Sequence, residues 1–328
     1  EPEYVERIAA VSNDLRVEYH PDLIAPPRYV ADHNGPPDFR RDAGQEQRFR
    51  EMLSSAEVHF DFDRSVMAEL PTIAPKLRWI QATSSGIGPL IKAAGLDATD
   101  IVITNAAGIH AVPLAEHVLL SLLYFVKDVP ARLRDQRNHV WERYSGRELR
   151  ERTVVVVGLG AVGREVARLC RGVGLHVIGV RRSPVLDLSA QHVDEAIHPA
   201  QLRDVLPRAD ALVLCSPQTP ETEGMIGAEA LAALPDGAIL VNIGRGSLVV
   251  EAALLDALRS GRLGGAALDV AAVEPLPVGH PLWNFPNVFI TAHSASTVDK
   301  ENARLTDLFC DNLQRYLAGA PLRNVVRY

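Results

Sequence analysis

Residues 153–163 read Thr-Val-Val-Val-Val-Gly-Leu-Gly-Ala-Val-Gly. Four valines in a row with no polar alternation make a strand buried on both faces, which only a covered parallel sheet accommodates. Glycines follow at the G-x-G-x-x-G spacing as Gly158, Gly160 and Gly163, and Arg164–Arg171 then places Val166, Ala167, Leu169 and Cys170 on one side of a helix. Strand, glycine turn and helix together are the context in which that spacing has meaning. Gly158 allows the tight turn, Gly160 lets backbone approach a pyrophosphate, and Gly163 lets helix pack closely on strand. The helix N-terminus offers free N–H groups and a positive dipole end to phosphates. A dinucleotide is therefore expected on Gly158, Leu159, Gly160, Ala161, Val162 and Gly163. A plain glycine turn is the competing reading.

The chain has 328 residues, which suits two domains, each with its own core. A formal net charge of −7 and a pI near 5.9 give no basic field for nucleic acid or an anionic membrane, so neither partner is expected. The longest apolar stretch, 111–129, is interrupted by Glu116, His117, Lys127 and Asp128 and does not read as a membrane span. Cys170, Cys215 and Cys310 stand far apart among apolar residues, as buried thiols in a reducing compartment do. The opening residues do not read as a signal peptide, and a cytoplasmic location is expected. The segment Tyr4–Val11 already looks helical, which predicts a first strand upstream of Glu1.

Short apolar strands alternate with helical stretches almost throughout. That pattern argues for an α/β class built on doubly wound parallel sheets, and against a sandwich or bundle. Leu15–Tyr19, Ala56–Phe60, Leu77–Gln81 and Ile101–Thr104 read as strands, with an irregular surface loop over Pro21–Gln47 that has room for one helix. Further strands read at His176–Val180, Ala211–Cys215, Ala238–Ile243, Gly264–Val270 and Val288–Thr291, with helices at Gly227–Leu234, Glu251–Ser260 and Val298–Leu317. Pro113–Val129 is apolar on nearly all sides of a helix, so it must be buried or covered by a partner; a homodimer is expected. Arg132–Arg150 is strongly charged and reads as an extended arm or linker carrying Trp141. The layout predicts a nucleotide domain over 106–295 inserted into a substrate domain formed by 1–105 and 296–328.

Several segments then align with one family. They are Ser216-Pro217-Gln218-Thr219-Pro220-Glu221-Thr222, Val241-Asn242-Ile243-Gly244-Arg245-Gly246, Leu268-Asp269-Val270, Glu274-Pro275-Leu276-Pro277, His280-Pro281-Leu282-Trp283, Pro286-Asn287-Val288 and His293. With the glycine fingerprint they resemble the D-isomer-specific 2-hydroxyacid dehydrogenases, and within them the glyoxylate/hydroxypyruvate and general 2-ketoacid reductases. The motifs run from about Leu77 onward; residues 1–75 carry none. The resemblance implies a Rossmann domain inserted into a flavodoxin-like substrate domain, a nicotinamide cofactor and a small 2-keto or 2-hydroxy acid as substrate. A chain ending at Tyr328 is expected to lack the appended regulatory domain of many phosphoglycerate dehydrogenases.

Reducing a 2-keto acid needs a hydride donor, a proton donor for the carbonyl oxygen and a cation for the carboxylate. The resemblance assigns the protein's share to Arg245, Glu274 and His293. The Arg245 fork suits a carboxylate and polarises the adjacent carbonyl. His293 as imidazolium protonates the oxygen, and Glu274 holds the other ring nitrogen and favours the protonated ring. The same resemblance gives Ser85, Gly86 and Ile87 as backbone contacts to the substrate carboxylate. Gly88 stands where many members have an acid. Trp283 is read either as a pocket wall or as core packing. Asp269 is expected on the nicotinamide carboxamide, with Ile243, Gly244 and Ala295 beside it. Cys215, Ser216 and Pro217 are expected on the adenosine side, and Thr222 on a phosphate. Trp141 lies in the arm that helps build the family's two-fold dimer.

The end of the second nucleotide-domain strand selects between cofactors. An acid there takes the ribose hydroxyls of NAD, but this chain has Arg181-Arg182-Ser183. Two guanidiniums and a hydroxyl clasp a 2′-phosphate, so NADP(H) is expected as the preferred cofactor, with NAD(H) as the second. Alternatively the two arginines are solvated strand ends stacking on adenine.

Other classes fit less well. The histidines show no HExxH or Cys/His pairing, His110 and His117 are as easily explained by packing, and no metal is expected. Ser85 lacks a nucleophile-elbow context for a hydrolase. The rival of another class is a nicotinamide-sensing corepressor of the same fold. Rivals within the family are phosphoglycerate, formate and phosphite dehydrogenases.

Overall fold

The computed structural model describes residues 1–327, and these divide into two compact units. The first comprises Glu1–His110 together with the stretch from Thr297 onward, and the second is Ala111–Ser296. The chain thus leaves the first unit once and returns to it.

The first unit holds a three-stranded parallel sheet, β1 (Val58–Phe60), β2 (Trp79–Gln81) and β3 (Val102–Thr104), in the order β1-β2-β3. Leu70, Ile80, Ile91, Leu96 and Ile103 form its main core. Trp79 faces a second cluster with Phe309 and Leu313 of the long helix Glu301–Leu317. Leu15–Tyr19, expected as a strand, has no ladder partner among the described residues. Leu15 packs on the Trp79 cluster as a side chain only, so its apolar pattern reflects burial without pairing. Within the stretch read as an irregular loop, Ala43–Ser55 is helical and opens on an Asp42–Gln45 capping box. Upstream of it the Arg41 guanidinium is almost buried, donates to the Leu23 carbonyl at 2.6 Å and pairs with Asp63.

The second unit is a seven-stranded parallel sheet. Its strands are β4 (Thr153–Val157), β5 (His176–Val180), β6 (Glu195–Ile197), β7 (Ala211–Leu214), β8 (Ala238–Asn242), β9 (Leu263–Leu268) and β10 (Val288–Ile290). The order β10-β9-β8-β7-β4-β5-β6 reverses direction at β4, as in a doubly wound nucleotide fold. Val155 and Val157 face a core with Leu206, Leu212 and Leu254, whereas Val154 and Val156 face one with Val118, Leu122 and Val166. Burying each valine contributes about 1.5–3 kcal/mol, which outweighs the cost of the glycines that follow at roughly 0.5–1 kcal/mol each.

The helix Ala111–Val126 packs on the helix Ala161–Gly172 through Ala115, Val118 and Leu122. It leaves Val112, Leu120 and Leu123 exposed. The charged stretch read as an arm is helical over Val129–Arg137, and only the residues after it are irregular, with Trp141 99% exposed. Asp135 pairs with Arg132 at 2.9 Å and accepts the Val140 N–H through its carbonyl at 2.9 Å, which closes that helix.

Candidate active site

Most site residues expected in the second unit lie beyond the carboxyl end of a strand. Gly158–Gly163 follow β4, Arg181–Ser183 follow β5 and Cys215–Pro217 follow β7. Arg245 follows β8, Asp269 and Glu274 follow β9, and His293 follows β10. This is the edge at which open α/β sheets bind ligands.

The glycine loop has the steric shape of a phosphate cradle. Gly158 has φ +100°, the left-handed side that glycine alone adopts freely. A Cβ on Gly163 would sit 1.9 Å from the Gly158 carbonyl oxygen, so strand and helix touch there. A Cβ on Gly160 would meet nothing within 4 Å, leaving open space where a pyrophosphate is expected. The helix Ala161–Gly172 begins at Gly160 without a side-chain cap. The N–H groups of its first turn therefore point free at that space. These features fit a dinucleotide.

Next to this loop, Arg181 and Arg182 form no ion pair among the described residues. The Glu221 carboxyl is held below its usual range by Thr219 and, to a lesser degree, by the charge of Arg182. Ser216 Oγ donates to the Val157 carbonyl at 3.1 Å and packs against Gly158. The Thr222 hydroxyl donates to the Pro217 carbonyl at 2.8 Å and accepts the Thr219 N–H at 2.8 Å. That closes the 217–222 turn and leaves no hydroxyl proton for the phosphate contact expected of Thr222. Burial pushes the Cys170 thiol up to about 12 and the Cys215 thiol higher still, so both pack as apolar groups.

Arg245 owes its place to the glycines beside it. A Cβ on Gly246 would lie 2.0 Å from Ala271, and one on Gly244 would lie 2.7 Å from the Ser216 carbonyl. The buried Asn242 side chain bridges the turn: its Nδ2 donates to the Arg245 carbonyl at 2.9 Å and its Oδ1 accepts the Gly244 N–H at 3.1 Å.

His293 Nδ1 lies 2.8 Å from Glu274 Oε2. The second Glu274 oxygen accepts the Ala271 N–H at 3.0 Å, which fixes the carboxylate. With Nδ1 engaged, Nε2 is the nitrogen left for chemistry. His293 has φ +52°, a strained backbone that histidine tolerates at a cost of about 1 kcal/mol. Asp269, 3% exposed, holds it there. The Asp269 carbonyl accepts the His293 N–H at 2.8 Å, and its Oδ1 accepts Thr291 Oγ1 at 2.7 Å and the Ser294 and Ala295 N–H groups at 3.0 Å each. Structural support of this loop is a role that sequence reasoning did not give Asp269. An acid just past a buried strand and some 24 residues before the histidine carries no local signal for it.

Trp283 is half exposed and its Nε1 donates to the Pro277 carbonyl at 2.9 Å, so it is not core packing. His280 was read only as part of a motif. It caps the turn Pro281–Asn284 through Nδ1 and meets Glu251 at 3.0 Å through Nε2. His117 stacks on Phe289 in the interior, and burial lowers its proton affinity. His110, in the first unit, does more than pack: it pairs with Glu301 at 3.0 Å.

Comparison with known proteins places the chain in a family. Residues 119–295, more than half of the chain, match the D-isomer specific 2-hydroxyacid dehydrogenase, NAD binding domain family model. The chain is 36% identical over 258 residues to a D-3-phosphoglycerate dehydrogenase of Mycobacterium bovis, covering 78% of this chain and 48% of that protein. It thus spans about half the length of the phosphoglycerate dehydrogenases it matches. An NADPH-dependent glyoxylate/hydroxypyruvate reductase from Sinorhizobium meliloti, solved with NADP and sulfate, superposes with a TM-score of 0.78 at 27% identity, covering 99% of this chain and 95% of that one. A D-isomer specific 2-hydroxyacid dehydrogenase from Xanthobacter autotrophicus, solved with NADPH and MES, gives 0.75 at 29% identity, covering 99% and 94%. The chain belongs to the D-isomer specific 2-hydroxyacid dehydrogenase family, and its second unit contains that family's NAD-binding domain.

Proposed function

We propose that the chain reduces small 2-keto acids, such as glyoxylate or hydroxypyruvate, to D-2-hydroxy acids with NADPH in preference to NADH. The observation that carries this reading is the 2.8 Å His293–Glu274 hydrogen bond, at the same sheet edge as a loop shaped for a dinucleotide. The cofactor, when bound, supplies hydride from nicotinamide C4. His293 protonates the substrate carbonyl oxygen through Nε2, while Glu274 keeps the opposite nitrogen engaged and steadies the positive ring. In the oxidative direction the same nitrogen accepts the proton. Arg245 takes the substrate carboxylate in its planar fork and draws electron density from the neighbouring carbonyl.

In this reading Ser85, Gly86 and Ile87 add backbone N–H groups to the carboxylate, and Trp283 forms a wall of the pocket. Asp269 Oδ1 already accepts three hydrogen bonds, so Oδ2 is the oxygen left for a carboxamide. Ile243, Gly244 and Ala295 line the nicotinamide side, with Cys215, Ser216 and Pro217 by the adenosine. Arg181, Arg182 and Ser183 take the 2′-phosphate; that both guanidiniums lack an ion-pair partner among the described residues supports this. The exposed Val112, Leu120 and Leu123 are covered by a second copy in a homodimer, and the protein works in the cytoplasm.

Steady-state reduction of glyoxylate, hydroxypyruvate, pyruvate and phenylpyruvate, each with NADPH and with NADH, tests the reading, with 3-phosphoglycerate oxidation as the rival arm. Turnover favouring NADPH supports both parts. Turnover with NADH alone removes the phosphate clasp, and oxidation of phosphoglycerate alone replaces the substrate class. Cofactor binding without turnover of any acid points to a nicotinamide-sensing protein.

A further inference from the structure

We propose that Asp61 is a positioning residue for substrate binding: its carboxylate clamps Thr83 and presets the Ser84–Ile87 loop that receives the substrate carboxylate. This rests on the assignment of that loop in the proposed function. Asp61 is the first residue past β1, and at φ +73° it adopts a left-handed backbone outside any glycine. Its N–H donates to the Gln81 carbonyl at 2.7 Å, which extends the β1–β2 pairing by one residue and fixes where the side chain starts. One carboxylate oxygen accepts the Thr83 hydroxyl at 2.7 Å and the other the Thr83 N–H at 3.3 Å. Both carboxylate oxygens are thereby engaged by Thr83.

Beyond Thr83 the loop is tied by its carbonyls. Ser84 O accepts the Ala106 N–H at 3.2 Å and Ser85 O accepts Asn105 Nδ2 at 3.3 Å. No acceptor among the described residues takes the N–H groups of Ser84, Ser85, Gly86 or Ile87, and Ser84 to Gly86 are exposed. Successive free N–H groups of this kind form an anion-binding concavity. A clamp at Thr83 holds that concavity ready and spares the ordering cost on binding. A carboxylate is gripped alike in the ground and transition states, so losing the clamp acts on KM.

The test uses Asp61→Gly, which keeps the left-handed backbone without strain and removes the carboxylate, and Thr83→Val, which removes the hydroxyl alone. In Asp61→Gly, KM for the keto acid rises roughly tenfold, as loss of a charge-assisted hydrogen bond gives, with kcat and cofactor Kd within about twofold of wild type. Thr83→Val gives a smaller rise and Thr83→Ser restores wild-type KM. Hydrogen exchange of the peptide spanning 83–90 quickens in Asp61→Gly. An active wild type whose two variants keep both KM and exchange unchanged overturns the role of Asp61 alone. A wild type that turns over no 2-keto acid overturns this role together with the proposed function.

Discussion

Asp269 grips the His293 backbone and leaves the ring free: its carbonyl takes the His293 N–H at 2.8 Å, and its carboxylate takes the next two N–H groups. One buried acid thereby stabilises a left-handed histidine and aims its imidazole at Glu274. The strain at residue 293 is held in place from outside the hydrogen-bonded pair His293–Glu274.

Asp269→Ala frees Thr291, Ser294 and Ala295 at once and lets the His293 loop relax. We expect kcat to fall about 100-fold, the scale of an ångström-sized misplacement of a catalytic group. The Tm should drop only slightly, because the loop lies at the surface edge of the sheet. A kcat within threefold of wild type would remove Asp269 from the positioning of His293.

His293→Ala should lose about 10²–10⁴ in kcat, the usual share of a general acid, with cofactor Kd nearly unchanged. Glu274→Gln keeps the hydrogen bond but removes the charge that favours the imidazolium. Its kcat should therefore fall about tenfold, with cofactor Kd unchanged. A kcat equal to that of wild type dissolves the functional pairing of Glu274 with His293.

Replacing Arg181 by Asp places an acid where the ribose of NAD accepts one and repels a 2′-phosphate. The kcat/KM with NADPH should fall about 10–100-fold, the loss expected for hydrogen bonds to a charged group, while that with NADH holds or rises. Equal losses with both cofactors would mean that Arg181 stacks on adenine instead.

His59, inside β1, has a buried ring nitrogen without a partner among the described residues, and burial lowers its pKa from 6.5 to about 4. The unfolded chain takes up a proton below about 6.5, whereas the folded one resists until about 4. Stability is thus intact above that window and is lost as pH falls through it. Urea midpoints at pH 7 and pH 4.5 should differ less in His59→Phe than in wild type, since only wild type carries this linkage. Equal differences would show that His59 is already charged in the fold.

The nucleotide half was legible because its physics is local. A run of four valines, glycines at fixed offsets and strands flanked by turn residues each report their own surroundings, and the strands from β4 to β10 appeared close to where they were read. The exception is β6, which was missed. Glu195–Ile197 is a three-residue edge strand paired only with β5, and its Glu195 is there to meet His176 at 2.8 Å rather than to fill a core. Leu15–Tyr19 failed in the opposite sense, since its apolar residues are buried by packing that alternation cannot distinguish from pairing. The proposed catalytic trio of Arg245, Glu274 and His293 was reached through family spacing. The supports of the site were not, because Asp269 acts on residues 22 to 26 positions away and Asp61 on one 22 positions away. Such partnerships exist only once the strands have been brought side by side.

The half-exposed ring of His293 carries a kinetic consequence. Its side chain is 46% exposed and that of its Glu274 partner 39%, so both touch water. A reductase working through this ring takes its proton back from solvent between turnovers, when neither product nor cofactor covers the imidazole.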